Sequence, residues 1–105
     1  MLARLVAAAR PRPSLLLARH RQEVLDIADQ NRAVQLRVFG SVARGEDTPD
    51  SDVDLLVTFA PDASLLDQVG LAEDLQELLG GRVDVVSDRA LTERDASIRD
   101  EAVPL

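Results

Sequence analysis

Two aspartates, Asp52 and Asp54, are separated by one residue in a stretch that is otherwise apolar and typical of a β-strand. Because side chains alternate along a strand, we expect both carboxylates on one face and Val53, Leu55 and Val57 on the other. Carboxylates placed side by side repel each other, and a divalent cation such as Mg²⁺ is the simplest partner that would relieve this repulsion. The pattern therefore indicates a metal site or, alternatively, an exposed edge strand whose solvent face is acidic.

A third carboxylate, Asp84, lies in the short apolar segment 82–86. The alternation of side chains predicts that Asp84 shares a face with Val86. If this strand lies beside the strand of Asp52 and Asp54, the three carboxylates come close enough for a shared metal site. Otherwise Asp84 only ends a short edge strand.

A glycine–serine pair, Gly40 and Ser41, closes the strand predicted over 34–38 and leads into a short helix. Glycine lets the backbone approach a ligand closely, free N–H groups at such a turn can hold phosphate, and the Ser41 hydroxyl can donate to a phosphate oxygen. Arg44 is expected either to bind the same phosphates or to brace the acidic loop 45–51. The acidic side chains of that loop are expected to be solvated: Glu46, Asp47 and Asp50.

The elements that must position these residues form one small α/β (α+β) domain. Helical patterns begin at Ser14, at Ser64 and at Thr92, where each first turn carries a residue suited to capping. Together with three strands they give the order α-β-β-α-β-α, a mixed β-sheet of about three strands with helices packed on it. We expect this domain over residues 14–105, preceded by an N-terminal arm over residues 1–13 that is either disordered or part of an interface.

The charge and composition restrict the partners. The chain has 105 residues, which suits one domain, and a formal net charge of −7. Its twelve basic residues are scattered arginines, and Phe39 and Phe59 are its only aromatic residues. A basic stripe and a base-stacking platform are therefore both missing from the sequence, which argues against unaided nucleic-acid binding. An acidic surface fits metal ions or a basic protein partner better.

The sequence has no cysteine, so a disulfide framework and a thiolate metal site are excluded. The first ten residues faintly resemble a targeting peptide, but their apolar stretch, 5–9, is shorter than the core of a signal peptide. A segment long and apolar enough to cross a membrane does not follow. We therefore expect a cytoplasmic protein without membrane contact.

The spacing of the two motifs resembles a known superfamily. Gly40-Ser41, ten intervening residues and then Asp52-Val53-Asp54 is similar to the signature of the DNA polymerase β-like nucleotidyltransferases. The longer strings 39–46 and 51–54 resemble its minimal nucleotidyltransferase (MNT) group. Segment 82–86 resembles the strand that carries that group's third carboxylate, and 101–105 resembles its usual C-terminus.

The resemblance implies a role for each motif residue. Asp52 and Asp54 would bind two Mg²⁺ ions, and Asp84 would contact the ion that activates the nucleophile. Gly40 and Ser41 would hold the β- and γ-phosphates of a nucleoside triphosphate, with ATP as the expected substrate. An acceptor hydroxyl would then attack the α-phosphorus, and pyrophosphate would leave.

The resemblance also implies a partner. MNT proteins are typically paired with a small helical HEPN-domain toxin, and they silence it by transferring AMP to a tyrosine near its active site. We expect such an antitoxin here, with Leu65, Leu66 and Leu71 as residues that could extend into the partner interface. Two alternatives remain: a non-catalytic antitoxin that neutralises its toxin by contact, and a nucleotidyltransferase that acts on a small molecule.

Overall fold

The computed structural model describes residues 10–105, so residues 1–9 of the expected N-terminal arm lie outside the described part. Five helices and four strands follow in this order: α1 (Pro13–Arg19), α2 (Arg21–Gln30), β1 (Ala33–Phe39), α3 (Gly40–Arg44), β2 (Val53–Phe59), α4 (Leu65–Leu79), β3 (Val83–Ser87), α5 (Ala96–Glu101) and β4 (Val103–Pro104). Two single 3₁₀ turns, Asp88–Ala90 and Glu93–Asp95, connect β3 to α5. Within this described range, no helix is long and apolar enough to cross a membrane.

The strands form one mixed sheet with the order β3-β2-β1-β4. Strands β2 and β3 are parallel, whereas β1 runs antiparallel to both β2 and β4. The expected mixed α/β architecture is confirmed, and β4 adds a fourth strand to the three that were predicted. Because β4 has two residues, one of them a proline, it is too short to show strand periodicity in the sequence.

The hydrophobic core lies between one face of the sheet and helices α1, α2 and α4. The residues that are fully shielded from solvent in it include Leu55 and Val57 of β2, Val24 of α2, and Leu71 and Leu75 of α4. The expectation that Leu71 reaches a partner surface is therefore wrong. Leu71 and Leu75 are one helical turn apart, and both face the sheet.

The opposite face of the sheet carries the predicted carboxylates and is partly covered by the chain between β3 and α5. Asp88 accepts a hydrogen bond from the Thr58 hydroxyl at 2.5 Å and lies 3.7 Å from the Arg37 guanidinium. Leu56, between Asp54 and Thr58 on this face, is completely buried. The chain between β3 and α5 therefore covers the end of β2 that carries Thr58 and leaves the end that carries Asp54 more accessible.

Helix starts follow the sequence signals at two of the three predicted positions, whereas α1 begins at Pro13 and Ser14 does not cap it. Ser64 and Thr92 each form a capping box, in which the backbone N–H donates at 2.9 Å to the carboxylate three residues later. Gly80 ends α4 with a φ of +73°, a conformation that glycine adopts without strain. The first predicted helix is divided at His20 into α1 and α2, and the His20 Nδ1 lies 2.9 Å from Glu23.

The loop between α3 and β2 contains a buried carboxylate that the sequence does not reveal. Asp47 is only 4% exposed, and its Oδ2 accepts the Ser14 N–H at 2.8 Å. The expectation that Asp47 is solvated is therefore wrong, whereas Glu46 and Asp50 are exposed as predicted. Asp47 caps the first turn of α1 and so ties this helix to the loop that precedes the aspartate motif.

Candidate functional site

The parallel pairing of β2 with β3 brings two of the predicted carboxylates together. Asp54 and Asp84 are register partners in these strands, and Phe39, the last residue of β1, pairs with Asp54 from the other side. Asp52 lies just before the first residue of β2 rather than inside the strand. The three aspartates thus share one edge of the sheet, beside the start of α3.

Arg82 lies between the two outer carboxylates and has no role assigned from the sequence. Its Nε is 3.2 Å from an oxygen of Asp84 and 3.9 Å from an oxygen of Asp52. The Arg82 side chain is 70% exposed, so water screens these contacts. Arg82 offsets part of the negative charge of the edge without neutralising Asp54.

Asp54 is the carboxylate that this arrangement perturbs most clearly. Burial raises the pKa of Asp54, and the nearby charges of Asp84 and Asp52 raise it further, with a smaller contribution from Glu101. An anion at this position is therefore disfavoured unless a cation lies close to it. The donor set, hard carboxylate oxygens that repel one another, fits Mg²⁺. Among residues 10–105, no three acidic or histidine side chains already converge as a metal cage, so the ligand set remains a prediction.

Gly40 packs directly against this carboxylate. Its φ is +73°, and a Cβ at this position would collide with Oδ2 of Asp54. A residue with a side chain would therefore be strained and would also displace the aspartate. Ser41 follows as the second residue of α3, partly exposed at the same edge. The structure thus explains why a glycine precedes Ser41 at this distance from the aspartates.

Arg44 and Glu101 close the other side of α3. The Arg44 guanidinium donates to Glu101 at 2.5 Å and to Glu46 at 3.2 Å, and these hydrogen bonds raise the pKa of Arg44. Glu101 also accepts the Gly40 N–H at 3.0 Å. Of the two expectations for Arg44, these contacts match the bracing of acidic groups. Glu101 is a residue of the site that the sequence analysis did not assign, although its C-terminal string resembled the MNT group.

A cleft of about 430 Å³ opens beside Asp52, and Asp54 and Asp84 do not line it. Asp52 and Arg82 line it at the site edge, and Pro13, Pro49 and Leu79 form part of its apolar wall. Its volume falls in the range of small-molecule sites. The site edge is therefore next to a space that can take part of a ligand.

Comparison with known proteins agrees with this geometry. The pattern of the nucleotidyltransferase domain matches residues 17–103. A protein adenylyltransferase, MntA, from Thermococcus cleftensis is 42% identical over 76 residues, which is 72% of this chain and 74% of that protein. A solved structure named as a candidate minimal nucleotidyltransferase is 47% identical, with a TM-score of 0.78, and the match covers 88% of this chain and 95% of that one.

A more distant match shows the same fold. The match is a chain from the solved complex of a tri-AMPylated HEPN toxin from Shewanella oneidensis with its MNT antitoxin. It has a TM-score of 0.59 and 19% identity, and the match covers 79% of this chain and 66% of that one. The fold and these matches define a nucleotidyl-transferring enzyme. The chain belongs to the nucleotidyltransferase domain family, in its minimal nucleotidyltransferase group.

Proposed function

We propose that this protein transfers AMP from ATP to a hydroxyl of a HEPN-domain toxin and thereby acts as its antitoxin. The observation that carries the proposal is the alignment of Asp54 with Asp84 on parallel strands, directly against Gly40 of the glycine–serine motif. The likeness to a named protein adenylyltransferase supports a protein as the acceptor. The tyrosine as target is proposed from the resemblance to the MNT group.

In this proposal the aspartates hold the reacting groups. Asp52, Asp54 and Asp84 would ligate two Mg²⁺ ions, which when bound neutralise charge on the phosphates and on the attacking oxygen. Gly40 gives the triphosphate close access to the backbone, and the Ser41 hydroxyl donates to its β- or γ-phosphate.

The transfer itself is an in-line displacement. The acceptor oxygen forms a bond to the α-phosphorus while the bond from the α-phosphorus to the bridging oxygen breaks, and pyrophosphate leaves. Asp84 would lie beside the acceptor hydroxyl and take up its proton as the oxygen attacks. Because the protein positions charges rather than forming a covalent intermediate, orientation and electrostatic stabilisation supply most of the acceleration.

Two features of the chain support a protein partner. The net charge of −7 and the scattered arginines disfavour nucleic acid as the acceptor. Leu65 and Leu66 at the start of α4 are 74% and 80% exposed, as expected for residues that could extend into an interface. One solved complex of related fold contains a HEPN toxin with an MNT antitoxin, and a toxin–antitoxin structure of related fold was determined with AMP-PNP.

Toxin neutralisation in cells separates catalysis from mere contact. The proposed HEPN-domain toxin is expressed with the wild-type chain, with Asp52→Asn/Asp54→Asn, or with Glu73→Gln/Glu77→Gln, a control that removes two exposed charges from α4. We expect growth with the wild type and the control, and toxicity with the aspartate variant. Growth with the aspartate variant at equal protein levels would favour a contact antitoxin instead.

A further inference from the structure

Glu101 restrains both ends of α3. Its Oε2 accepts the N–H of Gly40, the first residue of the helix, at 3.0 Å. Its Oε1 accepts from the guanidinium of Arg44, the last residue, at 2.5 Å. The Gly40 N–H and the Arg44 guanidinium hold the pKa of Glu101 below its usual range, so the side chain is ionised at neutral pH. Both contacts are therefore charge-assisted hydrogen bonds.

The position of Glu101 is set by the strand that follows it. Val103 pairs with Val38, Pro104 pairs with Arg37, and the Leu105 N–H donates at 3.1 Å to the Leu36 carbonyl. Strand β4 is thus attached to β1, the strand that ends at Phe39, directly before Gly40. Because both elements are fixed to β1, the carboxylate of Glu101 is carried to the start of α3 by the fold itself.

The restraint matters because Gly40 has no side chain with which to hold its own orientation. Its peptide adopts a positive φ and packs on Oδ2 of Asp54, so a small rotation would change the distance between α3 and the aspartates. The hydrogen bond from its N–H to Glu101 opposes such a rotation. The contact with Arg44 opposes tilting of the other end of this five-residue helix.

We propose that Glu101 is a positioning residue for ATP binding, which holds α3 so that Gly40 and Ser41 meet the triphosphate at the correct distance from Asp54. This inference rests on the proposed function of the site. It assigns Glu101 a role through α3 and not through contact with the reacting atoms. The opposite role would be a carboxylate that blocks the phosphates and has to be displaced.

These two roles predict opposite changes in the KM for ATP. Loss of the restraint in Glu101→Ala is expected to raise the KM roughly tenfold, because misplacement of binding groups by about 1 Å is costly, while kcat changes less. Removal of a blocking anion would instead lower the KM. Glu101→Gln keeps an acceptor for the Gly40 N–H, and we expect it to restore most of the ATP affinity. Asp100→Ala, which removes an exposed carboxylate one position earlier on α5, is the matched control.

The test measures AMP transfer to the purified HEPN-domain partner at varied ATP concentration, at a temperature where all variants are folded by circular dichroism. If the wild type transfers no AMP, the proposed function of the site has failed. If the wild type is active, a KM in Glu101→Ala that is unchanged or lower than that of the wild type overturns the positioning role. An equal rise in the KM of Asp100→Ala would also overturn it, and so would a KM in Glu101→Gln as high as that in Glu101→Ala.

Discussion

The carboxylate of Asp54 has acidic neighbours just before its own strand, on β3 and on α5. Its burial and the charges of Asp84, Asp52 and Glu101 all disfavour its ionised form. Arg82 is the arginine at this edge, and it contacts Asp52 and Asp84. Asp54 is thus the residue at which a bound cation would bring the largest relief.

Replacement of Asp54 by asparagine is expected to stabilise the protein when divalent cations are removed. The pKa of Asp54 in the folded state lies above its ordinary value, so its effect on stability is most favourable at low pH and is lost as the pH rises through that folded-state pKa. At neutral pH the charge is a penalty that Asp54→Asn removes. Thermal unfolding at pH 7 in a chelator should show a higher midpoint for Asp54→Asn and a smaller response to added Mg²⁺. A lower midpoint than that of the wild type would contradict this view of Asp54.

Substitution of Gly40 should damage the site more than substitution of another glycine with the same backbone conformation. Gly40→Ala has a positive φ and collides with Asp54, whereas Gly45→Ala has a positive φ of +71° and open space around it. The backbone strain of each variant costs about 1–3 kcal/mol. The collision adds to this cost at Gly40, and we expect AMP transfer to fall at least about tenfold there, because the binding groups are displaced. Urea unfolding and the transfer assay measure both effects, and equal losses in the two variants would argue against close packing on Asp54.

At the scale of the elements, the described parts of the chain differ in how readily the sequence predicts them. The strands and helices with several apolar residues, such as β2 and α4, are predicted from periodicity, and the starts of the helices from capping signals. Strand β4 was not predicted, because a strand of two residues is too short to show an alternation of apolar and polar side chains. The roles of Asp47 and Glu101 were also missed, since their partners, Ser14 and Gly40, are far away in the sequence and come close only through tertiary contacts.

Asp84 is the instructive contrast. Its place beside Asp54 could be predicted from two signals. Segment 82–86 resembles the strand that carries the third carboxylate of the MNT group, and the alternation of side chains indicates which face of that strand Asp84 occupies. The structure brings the two residues into register. The metal ligands themselves could not be derived, because carboxylate geometry at an edge of like charges depends on the cation that they bind.

The cap that Asp47 provides should make the stability of α1 depend on pH. Burial opposes the ionisation of Asp47, but the hydrogen bonds from Ser14 and from the backbone N–H of Asp47, together with the charge of Arg12, outweigh it and lower the pKa. A lowered folded-state pKa means that the contribution is present above the ordinary pKa and is lost as the pH falls through the folded-state value. Asp47→Ala should therefore cost about 1–2 kcal/mol at pH 7, and less as the pH approaches 3.

The control for this cap is Asp50→Ala, in the same loop, where the side chain is 88% exposed and contacts Arg10 at the surface. Urea unfolding of both variants between pH 7 and pH 3 gives the comparison. A loss for Asp47→Ala that is no larger than that of Asp50→Ala, or that does not shrink with acid, would refute the capping role.

At the scale of the whole molecule, the proposed function gives this chain the nucleotide-binding edge and leaves the acceptor to another protein. The sheet, its helices and the chain from 88 to 101 are occupied in building this edge and its cover. The negative charge of the molecule and the exposed leucines at the start of α4 match a protein acceptor better than a nucleic acid. This division of labour is the central claim: the chain supplies the aspartates and the nucleotide, and the partner supplies the hydroxyl.

The most direct test is the intact mass of the purified HEPN-domain partner after incubation with the protein, ATP and Mg²⁺. The account predicts a gain of about 329 Da for each AMP transferred, dependent on Mg²⁺ and absent with Asp52→Asn/Asp54→Asn. The Glu73→Gln/Glu77→Gln control should give the same gain as the wild type. An unchanged partner mass, in a complex that still forms, would contradict the claim that this edge of the sheet transfers AMP.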